Sequence, residues 1–200
     1  DVRKYMPESI GLMSWGHVAP LGVFNWLQYE KRMLAEKPFW KEMPWGYWGI
    51  TDTEQEIINK CRKLLLDYCD QAIKDAEGSC FNNAFGNRPG DFVWGCCSSF
   101  CDQAICFLYA YDVTGDEKYL TNAYRNVNYI LGQNATGYCY VTGFGSKSPM
   151  FPHSRLCHSD GVEAPIPGLL VGGPNPGQQD IAEVGRYTSD YPDESYEDVM

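Results

Sequence analysis

Residues 53–76 read TEQEIINKCRKLLLDYCDQAIKDA, and this stretch decides the fold class. Ile57, Ile58, Cys61, Leu64, Leu65, Tyr68 and Ala72 recur at helical spacing, so they share one face of an amphipathic helix. Thr53-x-x-Glu56 has the form of a capping box, in which each side chain satisfies the other residue's free backbone N–H. The helix is therefore predicted from about Glu54 to Ala76.

The same pattern repeats outward in both directions. An earlier helix is predicted from Ala19 to Ala35, with Leu21, Phe24, Leu27 and Met33 among its apolar positions. Another runs from Cys96 to about Tyr111. The next begins near Asp116, after a Thr114-Gly115 turn, and continues through Tyr119, Ala123, Val127 and Ile130 until Gly132 stops it. Helices joined in pairs by short connections imply an all-α array. No strand-length alternation recurs, which argues against a parallel sheet. After Gly132 the chain changes character. Roughly sixty residues follow, dense in Gly, Pro, Ser and Asp, and loops of that length in a compact domain are usually functional or disordered. Their aromatic and apolar content favours an ordered, functional loop region.

Composition narrows the function. Two hundred residues suit one domain with a real core. Six Trp, fourteen Tyr and nine Phe supply either that core or rings that stack on sugar faces. A net charge of −10 argues against nucleic acid or an anionic membrane surface, because phosphate binding needs a basic face. No run approaches the ~18 apolar residues of a membrane span, and no signal peptide opens the chain. Nine cysteines are an odd number, so at least one is unpaired within the chain. Cys96, Cys97, Cys101 and Cys106 cluster on one predicted helix. They lack the Cys-x-x-Cys pair or neighbouring His that a zinc site uses, which leaves buried free thiols as the better reading. Asn134-Ala135-Thr136 is an acceptor sequon, meaningful only in a glycosylating host.

The loop region carries the polar chemistry. His153 and Arg155 follow Pro152, and in an extended segment residues two apart point to one side, so both are expected to face one groove. Together they offer donors suited to hydroxyl groups. A serine triad from Ser154, His158 and Asp160 lacks a Gly-x-Ser-x-Gly elbow. Gly143-x-Gly145 lacks the third glycine and the strand-to-helix setting of a dinucleotide loop.

The order of the pieces is more specific than any one of them. Phe92-Val93-Trp94-Gly95 is followed by Tyr129-Ile130-Leu131-Gly132. Then come Val141-Thr142, Gly145, Lys147 and Pro152-His153-Ser154-Arg155. Gly172-Gly173-Pro174-Asn175 closes the run before Tyr196-Glu197-Asp198. This order resembles the C-terminal half of glycoside hydrolase family nine, the inverting cellulases built on an (α/α)6 barrel. The resemblance is strong from about Phe92 onward, and Cys139 departs from the family's Ser, Thr or Val. It implies an all-α fold forming part of such a barrel, with residues 1–200 a C-terminal portion of one catalytic domain.

The resemblance also implies roles. His153 and Arg155 would hold glucosyl hydroxyls beside the cleavage point, Trp94 would be a stacking platform, and Tyr196 and Asp198 would open the family's second active-site pattern. That pattern places the acid Glu about seven residues beyond Met200, with inverting hydrolysis requiring a distinct acid and base. Glu183, Glu194 and Glu197 lack the aromatic four residues earlier that the acid requires. The base belongs to an upstream Asp-Ala-Gly-Asp stretch that this chain does not contain. Trp15-Gly16-His17 stands where the family has Trp-Asp-Asp, so the oxygen ligands of a calcium site are not found, and no metal or cofactor is assigned. The implied activity is hydrolysis of β-1,4-glucosidic bonds in cellulose or a related β-glucan, in a secreted or cell-envelope protein. This chain would supply substrate-binding residues and pack against the remainder of its own catalytic domain. A non-catalytic β-glucan-binding protein with the same groove, or a helical structural module, are the alternatives.

Overall fold

A computed structural model describes residues 6–14, 16–36 and 49–199. Trp15 and Met200 lie outside them, and with Trp15 goes the comparison made for residues 15–17. Among the described residues, four substantial helices form the body: α1 (Ala19–Ala35), α2 (Asp52–Ala76), α3 (Cys96–Thr114) and α4 (Glu117–Ile130). Among the described residues, extended pairing is confined to isolated bridges, Ser14 with His17 and Val141 with Leu170. No described helix is long and apolar enough to cross a membrane.

Helix α2 starts two residues earlier than its sequence suggested. TDTEQE contains two overlapping boxes, and the one that forms is Thr51 with Glu54. Thr51 is extended (φ −76°, ψ 161°), its hydroxyl accepts the Glu54 N–H, and Glu54 accepts the Thr51 N–H at 2.8 Å. This register places Asp52 and Glu54 in the first turn, where negative charge meets the positive end of the helix dipole. The Thr51 N–H, above all, holds the Glu54 carboxyl below its ordinary range. The folded-state pKa is then lower than the unfolded one. This contribution is present above the unfolded value and is lost as pH falls through the folded value. Thr51→Ala is expected to lower stability by about 1 kcal/mol, whereas Thr53→Ala stays near neutral. Chemical unfolding of the two variants checks the assignment, and a larger cost at Thr53 would refute it.

Helix α1 has the predicted bounds and buries Val23, Phe24 and Leu27 against α2, while Leu21 stays on the open side, 47 % exposed. Helices α3 and α4 form the tightest pair. Gly115, with φ 70°, ends α3 by donating its N–H to Tyr111 O, and the Asp116 carboxylate caps α4 by accepting from Lys118 N. So tight a connection makes the helices antiparallel, with the start of α3 beside the end of α4.

That geometry divides the core into two. One cluster joins α1, α2 and the later turns of α3 through Phe24, Ile58, Leu65 and Phe107. The other sits where α3 begins and α4 ends, and it is mostly aromatic. Phe100 and Tyr129 stack with centroids 4.0 Å apart, and Tyr140 joins from the loop region. Asn126 is fully buried here. Its Nδ2 donates to Gln103 Oε1 and Phe100 O, and its Oδ1 accepts from Ala84 N, so the loop before α3 is tied to α4. Cys96, Cys97 and Cys106 are buried in these clusters and Cys101 is half-buried. Desolvation raises the Cys97 and Cys101 thiols and pushes Cys106 to about 12, so they pack as small apolar groups.

Candidate functional site

The long loop region docks on the α3-start and α4-end of the pair, through backbone bonds. Tyr140 N donates to Ile130 O, Thr142 N to Leu169 O, Gly168 N to Thr142 O, and Val171 N to Tyr140 O. Residues 140–142 and 168–171 therefore run side by side. Gly172 O accepts the Cys97 N–H at 3.0 Å, and the Cys96 thiol donates to Pro174 O. Three stretches distant in sequence thus meet at the first turn of α3. Inside the loop, Asn134 is a structural hub. Its Nδ2 donates to the carbonyls of Tyr129 and Tyr138, and its Oδ1 accepts from Thr136 and Gly137. At 8 % exposure, with its amide committed, Asn134 is no glycan acceptor in the folded chain.

A cavity of about 150 Å³ opens at this meeting point, lined by Trp94, Phe151, His153, Asn175, Tyr196 and Glu197 among others. Trp94 sits just before α3, 54 % exposed, and meets the His153 ring edge-to-face at 5.6 Å. More than half of the Trp94 surface thus remains open to a flat apolar partner such as a sugar ring. Tyr196 packs edge-on against Tyr138 (4.9 Å) and Tyr140 (5.1 Å). Burial foremost, and then the Asp198 charge, push its phenol well above the ordinary tyrosine range, so it stays protonated and can donate.

Asp198 does not line the cavity. Its Oδ2 accepts from Met150 N at 2.6 Å and its Oδ1 from Phe151 N at 3.2 Å, across 48 and 47 residues of sequence. One carboxylate thus grips two consecutive amides at the root of the Phe151–His153 wall. Glu197 faces the cavity, but its Oε1 accepts both the N–H (2.6 Å) and the hydroxyl of Thr188. Arg155 departs from expectation. Ser154 is the N-cap of a short helix α5 (Arg155–Ser159), so the extended geometry that would align Arg155 with His153 ends one residue too soon. Arg155 is exposed and does not line the cavity. Of the residues singled out from sequence, Trp94, His153 and Tyr196 converge, Asp198 supports them from behind, and Arg155 stands apart. Phe151, Asn175 and Glu197 were missed as lining residues. Asn175 had a signal in its Gly-Gly-Pro-Asn run, and Phe151 in preceding Pro152-His153.

Residues 4–200 match the family profile described as glycosyl hydrolase family 9. The chain belongs to this family. It is 44 % identical, over 100 % of its length, to a xyloglucan-specific endo-β-1,4-glucanase of Bacteroides ovatus, of which it covers 31 %. It is 28 % identical over 85 % of its length to endoglucanase D of Acetivibrio thermocellus, covering 24 % of that protein. A solved Bacteroides ovatus structure of the family superimposes with a TM-score of 0.78 at 40 % identity, matching 98 % of this chain and 31 % of that one. AaCel9A, solved with cellobiose-like isofagomine, gives 0.73 at 30 % identity, over 94 % of this chain and 32 % of that one. The all-helical body is thus the family's barrel in part, and the chain spans about a third of the relatives' length.

Proposed function

We propose that this chain forms one wall of the substrate groove of an inverting glycoside hydrolase that cleaves β-1,4-glucosidic bonds in a β-glucan. The observation that carries the reading is the convergence of Trp94, His153 and Tyr196 on one cavity at the first turn of α3. An exposed indole, an imidazole and a protonated phenol offer a stacking surface and hydrogen-bonding groups, the pairing a neutral sugar requires. The general acid and base come from residues outside this chain. The remaining parts of the domain pack on apolar positions that the described helices leave open, among them Ile105 and Leu108 of α3 and Tyr124 and Val127 of α4. The protein acts outside the cytoplasm, where polymeric glucans are met.

The test uses the full-length protein on a soluble β-glucan. Proton NMR during early hydrolysis is expected to show the α-anomer appearing first, since inversion at a β-linkage releases it. First appearance of the β-anomer would exclude inversion. Oligosaccharide binding without hydrolysis would establish the binding-protein reading instead.

A further inference from the structure

A second cavity, of about 210 Å³, adjoins the first at Phe151. Phe151 lines both cavities, whereas Trp94 and His153 line only the first. Met150, Pro152 and Val162 supply apolar surface to the second cavity, and His158 and Glu163 supply polar groups. The far side is shaped by a turn in which the Asp160 carboxylate accepts the Val162 N–H at 2.9 Å. The near side is held by the Asp198 grip on the amides of Met150 and Phe151. Both walls are therefore fixed by carboxylate-to-backbone bonds rather than by the mobile ends of side chains.

The contents of this cavity match one sugar ring. Apolar side chains suit the C–H face of a pyranose, while an imidazole and a carboxylate suit its hydroxyls. At about 210 Å³ it is larger than the cavity of about 150 Å³ beside Trp94, and it takes a single ring. A main-chain glucosyl unit seated against Trp94 and His153 would have Phe151 beside it, and a substituent passing that ring enters the second cavity. We infer that the cavity bounded by Met150, Phe151, Val162 and Glu163 binds a single glycosyl branch of the β-glucan, so that this wall selects a branched substrate. The inference rests on the groove reading above and adds the substrate class to it.

The experiment uses the full-length protein with two ligand sets, xyloglucan oligosaccharides carrying xylosyl branches and unbranched cello-oligosaccharides. Val162→Trp fills the cavity, and Glu163→Ala, at an exposed position, removes a hydrogen-bonding group with little risk to folding. Both variants are expected to lower kcat/KM on the branched set by about tenfold and to leave the unbranched set within about twofold. Calorimetric binding should show the same split. Equal losses on both sets, or no loss on the branched set, would overturn the branch site while leaving glucan hydrolysis standing. If the wild type hydrolyses neither set yet binds the branched one in a Val162-dependent way, the hydrolase reading fails and the branch site holds.

Discussion

Asp198→Ala in the full-length enzyme is expected to reduce kcat/KM on a soluble β-glucan by about a hundredfold, the scale that misplacement of a positioned group costs. Two backbone bonds set the size of this effect. Asp198 accepts from Met150 N and Phe151 N, and no other bond to a distant part of the chain fixes these two amides among the described residues. Alanine frees the start of the segment carrying Phe151 and His153, and the edge-to-face contact between His153 and Trp94 goes with it. Asparagine keeps one acceptor but turns an NH2 toward a donor, so Asp198→Asn should fall between alanine and wild type. The pH profile separates this positioning role from proton transfer. A clamp lowers kcat/KM at every pH and preserves both limbs of the bell. Loss of one limb in Asp198→Asn would instead make Asp198 an acid or base in its own right.

The sequence exposed what is periodic or ordered along the chain, and concealed what depends on backbone partners. Helix α4 was legible because Asp116, Ile130 and Gly132 mark cap, face and stop within one short window. Helix α2 was legible in its face and misread at its start, since two Thr-x-x-Glu frames overlap and the conformation of Thr51 decides between them. Helix α3 extends three residues past Tyr111 because Gly115, rather than the preceding residues, ends it. The convergence of Trp94, His153 and Tyr196 followed from the motif order. The departure of Arg155 did not, because one N-cap at Ser154 turns an extended segment into a helix. The grip of Asp198 was equally hidden. Its partners are backbone amides, and backbone amides leave no residue-type signature.

The largest stability effect is expected at Gly173, where the Gly-Gly-Pro-Asn run meets α3. Its φ of +85° is disfavoured for any residue with a Cβ, and an added Cβ would stand 2.3 Å from the Cys97 Sγ and 3.2 Å from the Cys96 Sγ. Both thiols are fully buried and cannot swing into solvent. The left-handed backbone costs an alanine about 1–2 kcal/mol, and overpacking a dense core adds about 1–3 kcal/mol. Gly173→Ala should therefore destabilise the full-length protein by roughly 2–5 kcal/mol. The displaced atoms identify the rescue. Cys97→Ala removes the sulfur nearest the new methyl, leaving the backbone cost and the milder 3.2 Å approach of the Cys96 Sγ, so the double variant should be more stable than the sum of the single costs predicts. Chemical unfolding of the four proteins gives the coupling directly, and about 1 kcal/mol or more of relief is expected for groups in contact. Strict additivity would mean that the loop moves away from α3 instead of pressing on Cys97. In that case the Cys97 N–H to Gly172 O bond would break as well, and groove function would fall with stability.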